Sequence, residues 1–177
     1  MRSGAAPTLE TARLRLRAHR LHDFEPIAAM SGDPAVMRHI TGAQPREEVW
    51  RRMLCGPGMW ALLGYGYWVA ERREDGAVIG QIGLADFRRD MEPAIEGLPE
   101  LGYIFATAVH GQGYASEAAR AILSWADARP RFGQIVAIID PANAPSIRLA
   151  ERLGFSSRED ATYKGEPILL FRRPLPG

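Results

Sequence analysis

Cysteine is nearly absent from the 177-residue sequence, and its scarcity excludes several kinds of site. Cys55 is the single cysteine, so the chain has neither an internal disulfide nor a zinc site built from cysteines. No histidine partner or nucleophile elbow accompanies it, and we expect a small buried apolar residue beside Met53 and Leu54. Reduced thiols are typical of a cytoplasmic protein, which is the expected location.

Long apolar segments and an excess of one charge are also missing. No run of about 18 apolar residues occurs, which argues against a membrane-spanning helix. Arg2 is not followed by an apolar segment, which argues against a signal peptide. The 22 basic and 21 acidic residues leave a net charge of +1. The composition therefore indicates neither a nucleic-acid-binding surface nor a basic stripe for an anionic membrane.

The periodic segments predict one mixed α/β domain. Residues 1–8 are expected to form a flexible tail and residues 9–177 a single domain, because no linker or repeat divides them. Arginine and leucine alternate over residues 13–17, which is typical of a strand with one solvated face. The order of elements is a strand, two helices, three strands, a helix, a strand, a helix and two strands.

Two helices in this order have predicted ends. Pro45 opens one helix, which is expected to stop at Gly56-Pro57-Gly58 because glycine and proline disfavour its continuation. Gly113 to Arg129 is predicted to be the longest helix, with an apolar face rich in alanine.

A glycine-bearing turn joins the end of a predicted strand, residues 100–105, to the start of that helix. Gly111 and Gly113 lie within residues 110–116, and both can adopt positive φ and let a ligand approach the backbone. The first N–H groups of a helix lack partners and carry a partial positive charge. A strand, a glycine turn and a helix start together predict an anion-binding loop.

The loop lacks the features of two other phosphate sites. No Gly-Lys-Ser or Gly-Lys-Thr occurs, and position 116 is serine where a dinucleotide fold would have its third glycine. A pyrophosphate held by backbone amides without a metal fits this pattern. Taken alone, the two glycines would indicate a tight turn equally well.

A second segment favours the ligand-binding interpretation. Asp140 to Ser146 follow a predicted buried strand, residues 134–139, and open a helix that ends before Gly154-Phe155. Ligand sites in α/β sheets lie beyond the carboxyl ends of strands, where both segments are expected.

The two segments together resemble the GNAT family of N-acetyltransferases. The cofactor loop of that family, Arg/Gln-x-x-Gly-x-Gly/Ala, is similar to residues 110–115, with His110 at the first position. Its later element, Asn-x-x-Ser followed by Gly-Phe, is similar to Asn143, Ser146 and Gly154-Phe155.

Residues 11–17 and 100–103 further resemble the ribosomal-protein (Rim-type) branch of that family, and the resemblance covers roughly residues 9–174. It implies an α/β fold with a mixed, mostly antiparallel, twisted sheet of about 6–7 strands flanked by about 4 helices. Two strands would splay apart at the CoA site. A homodimer is a family-level expectation.

The resemblance implies acetyl-CoA as co-substrate, with no metal. The main chain of residues 111–116 would hold the pyrophosphate, the main chain of Ile104 and Phe105 would pair with pantetheine, and Asn143 would bind the pantetheine arm. The cofactor-binding residues expected on this basis are Ile104, Phe105, His110, Gly111, Gln112, Gly113, Tyr114, Ala115, Ser116 and Asn143. A solvent-facing role for His110 is an equal alternative.

Two catalytic residues are expected. Glu100 occupies the position from which some relatives draw a carboxylate base, although an exposed strand-end glutamate is an alternative. Many relatives use a tyrosine as the acid where this chain has Ala150. Ser146 is the expected substitute, and its alternative role is a hydroxyl that bonds the helix backbone.

The expected activity is transfer of an acetyl group from acetyl-CoA to a primary amine by direct attack on the thioester. The acceptor is a protein N-terminus or a small amine. Because the usual tyrosine is missing at position 150, a non-catalytic acyl-CoA-binding or regulatory module of the same fold is the alternative.

Overall fold

The computed structural model describes residues 4–175, which divide into two compact units. The first comprises the chain up to Gly83 together with Tyr103–Ile122, and the second comprises Leu84–Gly102 and the chain from Leu123 onward. Residues 1–3 of the predicted tail lie outside the described part. In its remainder Ala6 is buried, and the Pro7 carbonyl accepts a hydrogen bond of 2.7 Å from Trp68 Nε1.

The first unit contains an antiparallel series of strands with three helices inserted between its second and third strands. Its strand order is β1-β2-β3-β4, followed by the end of β6. The elements are β1 (Leu9–Glu10), β2 (Leu14–Arg17), α1 (Phe24–Gly32), α2 (Pro34–Met37), α3 (Arg46–Leu63), β3 (Tyr67–Arg72), β4 (Val78–Ala85, continuing into the second unit), the end of β6 (Glu100–Phe105) and the start of α4 (Tyr114–Asp127).

The strands of the second unit have the order β6-β7-β9-β8-β5, and only the first half of β6 belongs to this unit. Its first pair is parallel, with Glu100 opposite Val136, and the other pairs are antiparallel. The further elements are β5 (Met91–Glu92), β7 (Gln134–Ile139), α5 (Ala144–Arg152), β8 (Ser157–Tyr163) and β9 (Glu166–Pro174).

The predicted fold class is confirmed, with small differences in count. Residues 4–175 contain nine strands and five α-helices, and the extra strands are the two-residue β1 and β5. Each unit has its own apolar cluster. The first includes Ile27, Met30, Val49, Met53 and Val69, and the second includes Met91, Ile95, Val136, Ala161 and Leu170.

The predicted end of the third helix was wrong. Helix α3 continues through Gly56-Pro57-Gly58 and ends at Gly64, whose φ of 72° gives a left-handed cap. Pro57 removes one intrahelical hydrogen bond, but the helix buries Val49, Met53 and Trp60 along one side. This burial outweighs the tendency of Pro57 and its flanking glycines to end the helix, and α3, with 18 residues, is longer than α4, with 14.

The helices within residues 4–175 are each too short or too polar to span a membrane.

Two side-chain expectations were also wrong. Cys55 is exposed, because the buried side of α3 faces away from it. Arg17 is buried and not solvated, since its guanidinium donates two hydrogen bonds of 2.8 Å to Asp23 and one of 2.5 Å to Glu71. Burial alone would raise the pKa of Asp23, but hydrogen bonds from Arg17 and the Arg20 backbone lower it below its usual range.

Candidate active site

The glycine turn of the first unit has the geometry of an anion-binding loop. Gly111 and Gly113 have φ of 75° and 81°, and α4 begins immediately afterwards at Tyr114. The N–H of Glu117 donates to the Gly113 carbonyl, so the N–H groups just before it start the helix without an intrahelical acceptor. A Cβ atom at Gly111 would meet no atom within 4 Å, which leaves space for a ligand against the turn.

Two side chains of the loop hold its own backbone. His110 Nε2 donates to the Phe105 carbonyl at 2.8 Å, because a carbonyl oxygen can only accept, and Gln112 Nε2 donates to Ala108 at 2.9 Å. The predicted phosphate contact of His110 therefore requires a proton on Nδ1 as well, which the neutral ring does not carry. Backbone amides are the main donors that the loop offers.

A clamp that was not predicted from the sequence ties the first turn of α4 to the turn between β1 and β2. Glu117 accepts hydrogen bonds from the Thr11 hydroxyl at 2.6 Å, the Arg13 backbone at 2.8 Å and Arg13 Nε at 2.7 Å. Burial opposes the charged form, but these bonds lower the pKa of Glu117 below its usual value. A carboxylate in the first turn of a helix interacts favourably with the helix dipole, which explains the position of Glu117 but does not identify its partners.

Arg13 extends the clamp onto the loop itself. Its Nη1 donates to the Gln112 carbonyl at 2.9 Å, and its guanidinium lies 4.2 Å from the centre of the buried Tyr114 ring. Ala115 and Ser116 are half-buried in the first turn that follows. The predicted cofactor residues 110–116 thus form one continuous, internally braced segment.

The strand before the loop lies close to β4. Ala106 N–H donates to the Ile79 carbonyl, and a Cβ at Gly80 would lie 2.7 Å from the Ile104 carbonyl oxygen and against the Phe105 ring. The backbone polar groups of Ile104 and Ala106 therefore face β4. Because these groups alternate along a strand, those of Phe105 face the opposite direction.

The loop fits a pyrophosphate by its donor set. Unpaired amides at a helix start and open space over Gly111 suit a doubly charged anion. Glu117, a carboxylate in the first turn of α4, is already neutralised by Arg13 and so does not repel the anion.

Glu100 lies in the second unit in a different kind of environment. It is 4% exposed, and its two oxygens accept from Arg89 Nε and Nη2 at 2.6 and 2.8 Å. Arg89 also donates to the Tyr163 hydroxyl at 3.0 Å and lies 4.6 Å from the Phe87 ring centre. Burial alone would lower the pKa of Arg89, but the hydrogen bonds and the negative charge of Glu100 raise it above its usual value. The alternative of an exposed glutamate at position 100 is wrong.

Asn143 and Ser146 share the start of α5 in the same unit. Asn143 Oδ1 accepts from the Ser146 N–H at 3.2 Å and caps the helix, which leaves the Asn143 Nδ2 donors outside the cap. Ser146 is half-buried within the first turn, and Ala150 is buried one turn later. No catalytic tyrosine occupies position 150.

Comparison with known proteins assigns this arrangement to a family. The profile of the acetyltransferase (GNAT) domain matches residues 13–156. A Bacillus subtilis (strain 168) protein, the uncharacterized protein YkkB, is 31% identical over 170 residues, covering 96% of each chain. The uncharacterized N-acetyltransferase YnaD of the same organism is 29% identical over 157 residues, covering 88% of this chain and 85% of that one.

Solved structures agree. An acetyltransferase from Agrobacterium tumefaciens str. C58 has 28% identity and a TM-score of 0.79, covering 95% of this chain and 94% of that one. A ribosomal L7/L12 α-N-protein acetyltransferase solved with CoA shares the fold at 15% identity and a TM-score of 0.73, covering 96% and 98%. The chain belongs to the acetyltransferase (GNAT) family and is an acetyl-CoA-dependent N-acetyltransferase.

Proposed function

We propose that this protein transfers the acetyl group of acetyl-CoA to a primary amine, which attacks the thioester directly. The observation that carries the proposal is the pair of positive-φ glycines, Gly111 and Gly113, immediately before the unpaired amides of α4. Such a turn binds a pyrophosphate through the main chain and needs no lysine or metal.

Each predicted residue has a role in holding the co-substrate, which supplies the acetyl group as a reactive thioester. The amides of residues 111–116 bind the pyrophosphate, except that of Gln112, which donates to the Val109 carbonyl at 3.4 Å. The outward-facing N–H of Phe105, whose carbonyl already accepts from His110, pairs with pantetheine, and Ile104 holds the strand against β4. The Asn143 Nδ2 donors bind the pantetheine arm.

Glu100 accepts the proton that the attacking ammonium must lose, directly or through a water molecule. The amine nitrogen then bonds to the carbonyl carbon, the C–S bond breaks, and the electron pair leaves with the CoA sulfur. A carboxylate offers about four lone-pair positions, so the contacts of Glu100 with Arg89 leave positions for this proton. The Ser146 hydroxyl donates a proton to the departing thiolate.

The acceptor is a protein N-terminus or a small amine. Structures that share the fold include both kinds: the ribosomal L7/L12 enzyme and a spermidine N-acetyltransferase from Vibrio cholerae, solved with CoA and spermine, at 16% identity and a TM-score of 0.71. The direct test measures thiol release from acetyl-CoA across peptides with free N-termini, polyamines and amino acids. Release that depends on one amine class supports the proposal.

The alternative of a non-catalytic acyl-CoA-binding module rests on Ala150 at the position of the usual tyrosine, whereas the family assignment supports an enzyme. Tight acetyl-CoA binding without thiol release across the whole panel would establish this candidate and overturn the proposed reaction.

Gly113→Val tests the loop itself. Valine at a φ of 81° is strained by roughly 1–3 kcal/mol, and its side chain occupies the phosphate's approach, so CoA affinity should fall roughly hundredfold by calorimetry. Gly165→Val is the matched control, because Gly165 has the same φ in the turn between β8 and β9. It should lower the melting temperature and leave CoA affinity unchanged. Equal affinities of Gly113→Val and the parent would refute the loop assignment.

A further inference from the structure

A surface cavity of about 570 Å³ opens beside the first two turns of α4 in the first unit. It continues along the helix from the glycine turn, so a ligand held by the loop amides can extend into it. The lining residues are Thr11, Arg13, Gly113, Ser116, Glu117, Arg120 and Ala121.

The charges of this cavity do not cancel. Glu117 is ion-paired with Arg13 at 2.7 Å, so this pair contributes no net charge. Arg120 is exposed and has no hydrogen-bond or ion-pair partner among the described residues. The cavity therefore presents one uncompensated guanidinium.

The neighbouring arginines are already engaged. Arg72 donates to Asp75, and Arg73 donates to the Thr11 carbonyl at 2.7 Å and lies 3.8 Å from Glu10. Both line an adjacent cavity of about 390 Å³, which Arg13 also lines. Arg120 differs from them because no acceptor within residues 4–175 orients or neutralises it.

Helical spacing combines Arg120 with a hydroxyl donor. Ser116 and Arg120 are four residues apart in α4 and so lie on one face, above Gly113. A guanidinium and a hydroxyl on one wall of an open cavity provide several N–H and O–H donors. Arginine's planar fork matches phosphate oxygens particularly well.

We propose that this cavity receives the 3′-phosphate of acetyl-CoA and that Arg120 determines the preference for CoA over 3′-dephospho-CoA. This inference rests on the proposed function, since the loop amides must first hold the diphosphate. The diphosphate is matched by backbone donors, whereas the 3′-phosphate is a separate dianion on the ribose. The unpaired cation in the adjoining cavity supplies its countercharge.

Isothermal titration calorimetry with CoA and with 3′-dephospho-CoA tests the inference without turnover. The parent should bind CoA about five- to tenfold more tightly than dephospho-CoA, and the preference should shrink at high salt because the site is open. Arg120→Gln should lose the preference by weakening CoA alone, and Arg120→Lys should restore part of it. Arg38→Gln, an exposed arginine at the end of α2 that lines neither cavity, should match the parent.

Each other outcome has a distinct meaning. Equal affinity of the parent for the two ligands, or a preference that survives in Arg120→Gln, overturns the inference and leaves the proposed function intact. A parallel loss for both ligands in Arg120→Gln also overturns it, because Arg120 would then bind the diphosphate. If the parent binds neither ligand, both the proposed function and this inference fail.

Discussion

The glycine loop of the first unit and the Glu100 site of the second unit are built in opposite ways. In the loop the proposed ligand donors are backbone amides, and side chains such as His110 and Gln112 hydrogen-bond to the backbone of the turn. At Glu100 the proposed base is one buried carboxylate, which is oriented by its hydrogen bonds with Arg89. One site depends on local conformation, the other on a tertiary ion pair.

This difference determines what each site tolerates. A loop made of main-chain donors accepts many side chains, provided that Gly111 and Gly113 keep their positive φ. A buried ion pair tolerates few substitutions, because removal of one partner leaves the other charge desolvated and unpaired. We expect stability to depend strongly on the Arg89–Glu100 pair and CoA affinity to depend on the loop.

Arg89→Met should produce the largest loss of stability. It removes the cation and leaves the Glu100 carboxylate unpaired, although only 5% of the Glu100 side chain is exposed. The free energy of unfolding should therefore fall by about 3–5 kcal/mol. Urea denaturation followed by circular dichroism measures this change.

Arg172→Met is the control, because Arg172 pairs with the exposed Glu159 at 2.8 Å on neighbouring strands. Its cost should stay below about 1 kcal/mol. The double variant Arg89→Met/Glu100→Gln should recover part of the stability that Arg89→Met loses. If it recovers none, an unpaired charge at Glu100 is not the cause.

Most of the fold could be predicted from short-range patterns. The glycine turn, β6 at Glu100–Phe105 and β7 at Gln134–Ile139 were located correctly because period, apolar runs and turn residues identify them locally. The end of helix α3 was not located correctly, because the burial of Trp60 beyond Pro57 is a tertiary effect. The sequence shows that proline and glycine disfavour the helix there, but tertiary packing determines whether the helix ends.

The candidate site follows the same division. The loop was recognisable because two glycines before a helix are a local signal. The side-chain partners at the two sites could not be predicted, since Arg13 and Glu117 are separated by 104 residues and Arg89 and Tyr163 by 74. Such pairings form because the fold brings the turn between β1 and β2 to α4, and Arg89 to the end of β8, and a single sequence does not reveal this.

Glu100→Gln should give the second-largest effect and affect turnover rather than binding. Loss of the base should lower turnover about hundredfold near neutral pH, with CoA affinity unchanged, because Glu100 is not a cofactor contact. The difference should narrow as the pH approaches the amine's own pKa, where free amine forms without help. Steady-state rates across this pH range measure it.

Glu159→Gln is the control, since Glu159 is also ion-paired to an arginine but in an exposed strand pair. It should leave the pH–rate curve unchanged. Rates of Glu100→Gln that match the parent at every pH would remove Glu100 from the mechanism, even if Arg89→Met destabilises the protein as expected.

Glu117→Gln should give the smallest effect and shows whether side chains matter to the loop at all. Glu117 accepts three hydrogen bonds from Thr11 and Arg13, and their weakening should cost about 1–2 kcal/mol of stability at pH 7. Because the folded-state pKa of Glu117 is lowered, this contribution is complete above the unfolded value of about 4.3 and is lost as the pH falls through the folded value.

The stability curves of the parent and Glu117→Gln should therefore converge in acid and separate above about pH 4.3. Glu48→Gln is the matched control: Glu48 also lies in the first turn of its helix, but pairs with Arg52 of the same helix at 3.0 Å. It should cost about 0.5 kcal/mol. A Glu117→Gln variant that keeps full stability but loses CoA affinity would show that Glu117 serves the ligand directly. The contrast between a backbone-built loop and a side-chain-built Glu100 site would then no longer hold.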